Sequence, residues 1–321
     1  MSSSTSPLTI GVLGPSGMSG SHITLELISR GHKVIGLSRN PSKLGTHSRY
    51  EPRTIDLENG TVDEISKTLT DLDVLVCAYG PHTSGLAALK YVPFLETLRK
   101  IVLASRAAKV SYFIMLGGCG SLYLPGTETR ICAVDSPTFW LAYWRHIASS
   151  PAHISYMESR FGSALTDGVR AYASARQALK EGRDTPEARF VRKTHEENIA
   201  LGEGGAKPLI TACRTSFMFF DGNTSFDWTF MSPPAMYRSG GKTSKYEVQV
   251  DFLPVKGDPN DGAELNGRFE GISTFDLAIA IADEAETRRM KGKHWTAWAE
   301  IDNEKPATAP YIDLSHGTIS P

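Results

Sequence analysis

A glycine-studded junction between an apolar run and an amphipathic segment constrains this chain most. Residues 8–14 read Leu-Thr-Ile-Gly-Val-Leu-Gly, a short apolar stretch of the kind that forms a strand buried on both faces. The segment Gly11-Val-Leu-Gly14-Pro15-Ser16-Gly17-Met18-Ser-Gly20 overlaps its end, and Ile23, Leu25, Leu27 and Ile28 predict a helix over 19–30 that stops at Gly31. Further strands are expected at 32–37, 73–78 and 111–116, with helices near 61–70 and 86–109. This alternation predicts right-handed βαβ units and an α/β doubly wound parallel sheet.

After Gly120 the rhythm changes. Helical pieces are expected over 139–149, 153–181 and 186–202, with Pro137, Pro151 and Pro186 as punctuation. Strands resume at 227–231 and 246–252, Ser273 or Thr274 can cap a helix over 275–289, and 294–301 supplies a last strand. The expected organisation is a disordered N-terminus (1–7), a sheet core (8–122), a mainly helical insertion over the substrate region (123–225), a return to the sheet (226–305) and a tail (306–321). The 34 Lys+Arg and 35 Asp+Glu leave no basic excess to neutralise phosphates, which argues against nucleic-acid or membrane partners. Four cysteines stand singly, so reduced thiols are expected rather than a disulfide framework or a metal site. No apolar run approaches the roughly 20 residues needed to span a bilayer, and residues 1–7 lack signal-peptide features. The expectation is a cytoplasmic monomer or homodimer acting on a small molecule.

Glycines in a first strand–helix turn let the backbone approach a pyrophosphate, whose charge the free N–H groups and helix dipole receive. The same glycines can also serve a purely steric turn; their place before a helix and a second strand favours the dinucleotide. The second strand ends Gly36-Leu37-Ser38-Arg39-Asn40-Pro41, with no acid to accept from a ribose 2′-hydroxyl. Arg39 can fork onto a 2′-phosphate, with Ser38 or Ser42 donating, which favours NADP(H). The plainer alternative is a solvated loop arginine.

With these residues assembled, the chain resembles the atypical or extended short-chain dehydrogenase/reductase superfamily. Within it, the chain is most similar to the NAD(P)H-binding group described as NADH-flavin reductases, related to biliverdin/flavin reductase and NmrA-like proteins. The resemblance rests on GxxGxxG at Gly11, Gly14 and Gly17, on Cys77-Ala78-Tyr79-Gly80, on Gly117-Gly118-Cys119-Gly120-Ser121-Leu122, on Asp227 to Ala235, and on Gly240 to Tyr246. It covers about residues 8–122 and 226–300; 123–225 has no counterpart. It implies a Rossmann-type fold in which Gly11–Met18 holds the pyrophosphate, Asp56-Leu57 flank the adenine, Ala78-Tyr79-Gly80 the ribose and Gly117-Gly118 the nicotinamide. Ser232-Pro233 would lie near the carboxamide, and 240–246 would form a hairpin. Read without the resemblance, Asp56 can cap the following helix and Pro233-Pro234 can be a rigid turn.

The YxxxK pair that short-chain dehydrogenases commonly use is absent. Tyr156…Arg160 and Tyr172…Arg176 offer YxxxR, whose members share a helix face, although an arginine is always charged and cannot shuttle a proton. Tyr143, His146 and His153 are further acid/base candidates, each equally at home as a structural residue. Trp140 and Trp144 predict a ridge that either packs the insertion or lids a flat substrate, and Phe217–Phe220 reads as a buried strand or second pocket wall. The expected function is an NADPH-dependent oxidoreductase for a small or medium apolar or aromatic carbonyl, quinone or flavin-like substrate, in a secondary-metabolic setting. The alternatives are a cofactor-retaining isomerase, cyclase or dehydratase, and an NmrA-like dinucleotide-sensing regulator.

Overall fold

The computed structural model describes residues 6–80, 91–126, 129–200, 207–259, 264–303 and 311–316. Ten strands form in chain order: β1 (Thr9–Leu13), β2 (Lys33–Ser38), β3 (Tyr50–Thr54), β4 (Val74–Cys77), β5 (Tyr112–Leu116), β6 (Trp228–Met231), β7 (Met236–Arg238), β8 (Glu247–Val250), β9 (Gly271–Ser273) and β10 (His294–Trp298). Eight make one sheet in the order β3-β2-β1-β4-β5-β6-β10-β8, parallel except for β8, and β7 pairs with β9 apart from it. The strand order reverses between β1 and β4, and in doubly wound sheets ligands bind in the crevice outside the carboxyl ends at such a point.

The two-residue period of the strands sorts the core. Ile10, Val12, Val74, Val76 and Ile114 face the layer of α1 (Met18–Ser29) and α9 (Thr274–Thr287). Leu13, Leu37, Leu75, Cys77, Phe113 and Met115 face the opposite layer, with α2 (Val62–Thr68) and α3 (Tyr91–Ala107). Of the helix expected over 86–109, residues 86–90 lie outside the described residues and the rest is α3. Strand β3 was not expected: Tyr-Glu-Pro-Arg-Thr lacks an apolar run, but at a sheet edge Pro52 needs no second ladder partner. Tyr50 anchors it, with its ring where a side chain at Gly36 would stand and its hydroxyl donating to the Pro41 carbonyl at 2.8 Å.

Between β5 and β6 lie α4 (Pro137–Ala148), α5 (Pro151–Phe161), α6 (Ser163–Lys180), α7 (Pro186–Ala200) and α8 (Lys207–Ser216). Three starts share one device. Pro137, Pro151 and Pro186 open helices, while Ser136, Ser150 and Thr185 accept from the N–H groups of Phe139, His153 and Ala188 at 3.3, 3.2 and 3.2 Å. The helix expected over 153–181 is two helices, because Gly162 at φ +82° ends α5 in a conformation a helix cannot continue. Phe217–Phe219 form a 3-10 turn rather than a strand, which swings Phe220 into the core against Phe113 and Phe230.

The 240–246 segment is no hairpin. It bridges β7 and β8 and is held by the buried Asp276 carboxylate, which accepts from Thr243 N and Ser244 N at 3.0 and 2.9 Å. Residues 311–316 lie across α1, where Ile312 and Leu314 join the core and Ile312 N donates to Ser21 Oγ at 3.3 Å. Among the described residues no helix is long and apolar enough to cross a membrane.

Candidate functional site

Strand β1 runs through Leu13, so Gly11 lies inside it, paired with Ile35 and Leu75, and not in the turn. A Cβ there would meet Leu72 Cδ1 at 2.5 Å, so the need for glycine is core packing. The turn glycines are Gly14, Gly17 and Gly20, one step later than the spacing taken from Gly11. Gly14 adopts φ +77° with Ala78 O 3.2 Å from the place of its missing Cβ. Gly20 crosses beneath it, where a Cβ would stand 2.1 Å from Gly14 O. Gly17 occupies the N-cap of α1 with no side chain to accept and no acid in the first turn, so the first-turn N–H groups are left for an outside acceptor.

A cleft of about 470 Å³ opens at this point along the carboxyl edge of the sheet. One side carries Gly17, Met18 and Ser19, the strand ends Ala78-Tyr79-Gly80 and Gly117-Gly118, and Pro233. The other carries Tyr143 and Trp144 of α4 and His153, Tyr156 and Arg160 of α5. Pro15 and Ser16 sit in the turn behind the lining. After β2, the Ser38 hydroxyl is buried without a partner and Arg39 is exposed, close enough to act on Asp56. Asp56 does not cap α2. Its carboxylate accepts from Glu58 N and Asn59 N, both at 3.1 Å, while Thr61 and Glu64 form the capping box. The Asn59 side-chain amide, donating to Asp56 Oδ2 at 2.8 Å, and then these backbone bonds hold the Asp56 carboxyl below its usual range. Leu57 is buried in the α2–α3 layer.

Other expectations are corrected. Ser232 does not face the cleft, because its hydroxyl is engaged with Ser121 Oγ at 2.8 Å and His294 Nε2 at 2.9 Å; Pro233, Pro234 and Ala235 line the wall instead. His146 faces away, packed on Phe269 and bordering a separate cleft with Lys256 and Glu270. Tyr172 and Arg176 serve structure: the Tyr172 hydroxyl donates to Glu196 at 2.6 Å, Arg145 forks onto the same carboxylate at 3.0 Å, and Arg176 lies over the Tyr172 ring. The tryptophan ridge divides. Trp140 is core, its Nε1 donating to Val134 O at 2.9 Å, and Trp144, 5% exposed, lines the cleft.

Burial sets the chemistry of the wall. It raises the phenol pKa of Tyr143 and of Tyr156, although the Arg160 charge one turn away opposes the rise at Tyr156. Neither hydroxyl has a hydrogen-bond partner among the described residues. His153 is pushed down to about 3 by burial, with the Arg238 and His146 charges adding, so it is neutral near pH 7. Burial likewise pushes the Cys119 and Cys213 thiols up to about 12, so neither is a ready thiolate. Sequence reasoning missed Cys213, Tyr311 and Tyr237, all on the cleft. The Tyr237 hydroxyl meets Ser19 Oγ at 2.7 Å and so ties β7 to the first turn of α1. The one available signal was its position two residues past the Asp227–Ala235 segment already singled out.

Comparison with known proteins agrees with this geometry. Residues 14–134, from the first turn glycine onward, match the family model described as NAD(P)H-binding. The chain is 24% identical over 298 residues to the uncharacterized protein YwnB of Bacillus subtilis, covering 92% of this chain and all of that one. Among solved structures, a candidate epimerase from Bacteroides thetaiotaomicron superposes with a TM-score of 0.61 at 19% identity, covering 93% of this chain and 100% of that one. A candidate NADH-flavin reductase from Streptococcus pneumoniae gives 0.56 at 19% identity, with 91% and 100% covered. The fold is a Rossmann-type doubly wound sheet, and its first part matches an NAD(P)H-binding family model.

Proposed function

We propose that this protein is an NADP(H)-dependent reductase of a flat, medium-sized carbonyl, quinone or flavin-like acceptor. The observation that carries this reading is that one cleft holds both halves of the required machinery. An uncapped helix start and glycine-bearing strand ends lie on one side, and unpartnered phenols lie on the other. The residues fit the dinucleotide: Gly14, Gly17 and Gly20 let the backbone approach a pyrophosphate, and the orphaned Ser38 hydroxyl with Arg39 stands where an NAD site would carry an acid. The bound cofactor supplies the hydride.

The chain's own residues do the rest. Trp144 and Tyr143 present aromatic faces that orient a planar acceptor and exclude water. Tyr156, its pKa raised, is protonated throughout the neutral range and gives its proton to the acceptor oxygen. Solvent restores the proton to the phenolate that this leaves. Trp144 is buried against the cleft rather than displayed, which favours an enzyme over a regulator that docks a partner through the insertion.

Calorimetric titration tests the cofactor. The wild type is expected to bind NADPH more tightly than NADH, and Arg39→Ala to weaken NADPH by about tenfold to a hundredfold while leaving NADH unchanged. Equal affinity for both would end the NADP assignment, and no binding of either would end the reading. Tyr156→Phe tests the donor. The turnover number is expected to fall by about 10² to 10⁴ with NADPH affinity unchanged; undiminished turnover would remove Tyr156 from the mechanism.

A further inference from the structure

The cleft contains one formal charge. Among its described lining residues no side chain is acidic, His153 is neutral, and Arg160 is the sole cation. Arg160 makes no ion pair or hydrogen bond with any described residue, and its Nε is buried without a partner. Several other half-buried arginines are treated differently. Arg30 meets Glu26, Asp283 and Glu286; Arg145 forks onto Glu196; Arg192 meets Asp184. A half-desolvated guanidinium left unpaired is costly unless an anion completes it, and its planar fork matches a carboxylate. The groups close enough to feel its charge are the phenols of Tyr156 and Tyr237, which are hydrogen-bond donors toward an anion rather than competing anions.

We infer that the acceptor site takes an aromatic carboxylate, with the carboxylate forked on Arg160 and the ring against the cleft-facing surface of Tyr143 and Trp144. The inference rests on the reductase reading, which leaves this half of the cleft to the substrate. The cofactor's diphosphate is the competing source of negative charge, and the substitutions at position 160 separate the two.

The probes are 2-naphthoate and its neutral isostere 2-naphthamide, titrated calorimetrically into the whole protein with and without saturating NADPH. The wild type is expected to prefer the carboxylate by about tenfold or more, Arg160→Gln to abolish the preference, and Arg160→Lys to keep part of it. NADPH affinity of Arg160→Gln is expected to stay within about twofold of wild type, because its anion-binding groups are the α1 N–H donors. Equal binding of acid and amide, or binding of neither, overturns the inference and leaves the reductase reading standing. A large loss of NADPH affinity in Arg160→Gln also overturns it and assigns the guanidinium to the diphosphate. If the wild type fails to bind NADPH, the reductase reading falls, and the nucleotide-free titration still decides the carboxylate preference. Thermal denaturation of each variant controls for folding.

Discussion

Alanine at position 20 is expected to weaken NADPH binding by at least about a hundredfold in a protein that still folds. The added methyl group would lie 2.1 Å from Gly14 O, 2.9 Å from Gly14 C and 3.2 Å from Pro15 Cα. All three are backbone atoms, so no side chain can rotate away and the loop itself must lift. Gly14 cannot follow freely, because its own position is set by φ +77° and by the Ala78 carbonyl on the next strand. A shift of about an ångström misaligns the α1 N–H groups, and hydrogen bonds to a charged acceptor are each worth about 1.5–3 kcal/mol. Losing two gives the hundredfold figure or more. Circular dichroism and a urea midpoint report folding, and Gly241→Ala, whose Cβ would meet nothing within 4 Å, is the control. Wild-type NADPH affinity in a folded Gly20→Ala protein would falsify the cradle.

The second large effect is acid lability. Burial depresses His22, His146 and His294 to about 4 and His153 to about 3. Each has a ring nitrogen buried without a partner, so protonation would create an unsatisfied charged donor. His22 donates from Nδ1 to Met18 O at 2.8 Å, and that bond only partly offsets its burial. Asp251 stands 4.0 Å from His294 Nδ1, too far to accept a hydrogen bond, and burial raises its own pKa. The unfolded chain titrates these groups near 6.5, and the folded chain nearer 4. Between those values the unfolded state holds up to four more protons. Stability is therefore greatest above about pH 6.5 and falls as the pH drops, by about 1.4 kcal/mol per unit for each histidine. Four together would consume a typical total stability of about 5–15 kcal/mol within two or three units. Urea titrations from pH 8 to 5 should show the midpoint falling steeply at constant m, and His22→Gln should flatten the slope by one proton. A midpoint that is level across this range would refute the account.

Burial also decided which elements were legible. Strands β1, β4 and β5 are covered on both faces, so each reads as an unbroken apolar run; β3 is an edge strand around Pro52 and has no such signature. The helix starts after Ser136, Ser150 and Thr185 were visible as proline punctuation, whereas Gly162 broke a continuous amphipathic pattern through backbone dihedrals alone. At the site, the glycine loop was found but counted from Gly11, because a glycine buried under Leu72 and one in a turn look alike until the strand's end is known. The tyrosines were harder. Tyr156 and Tyr172 carry the same YxxxR spacing, and only tertiary packing sends one to the cleft and the other to Glu196. Tyr237 reached the site through a three-residue strand too short to register.

The contact between Ile312 and Ser21 joins residues 291 positions apart and holds the 311–316 segment against the first helix. During synthesis the ribosome releases that helix long before this segment exists. Completion of the nucleotide half thus waits for residues nearly three hundred positions downstream, and its nascent form lacks the share of the apolar cluster that Ile312 and Leu314 supply.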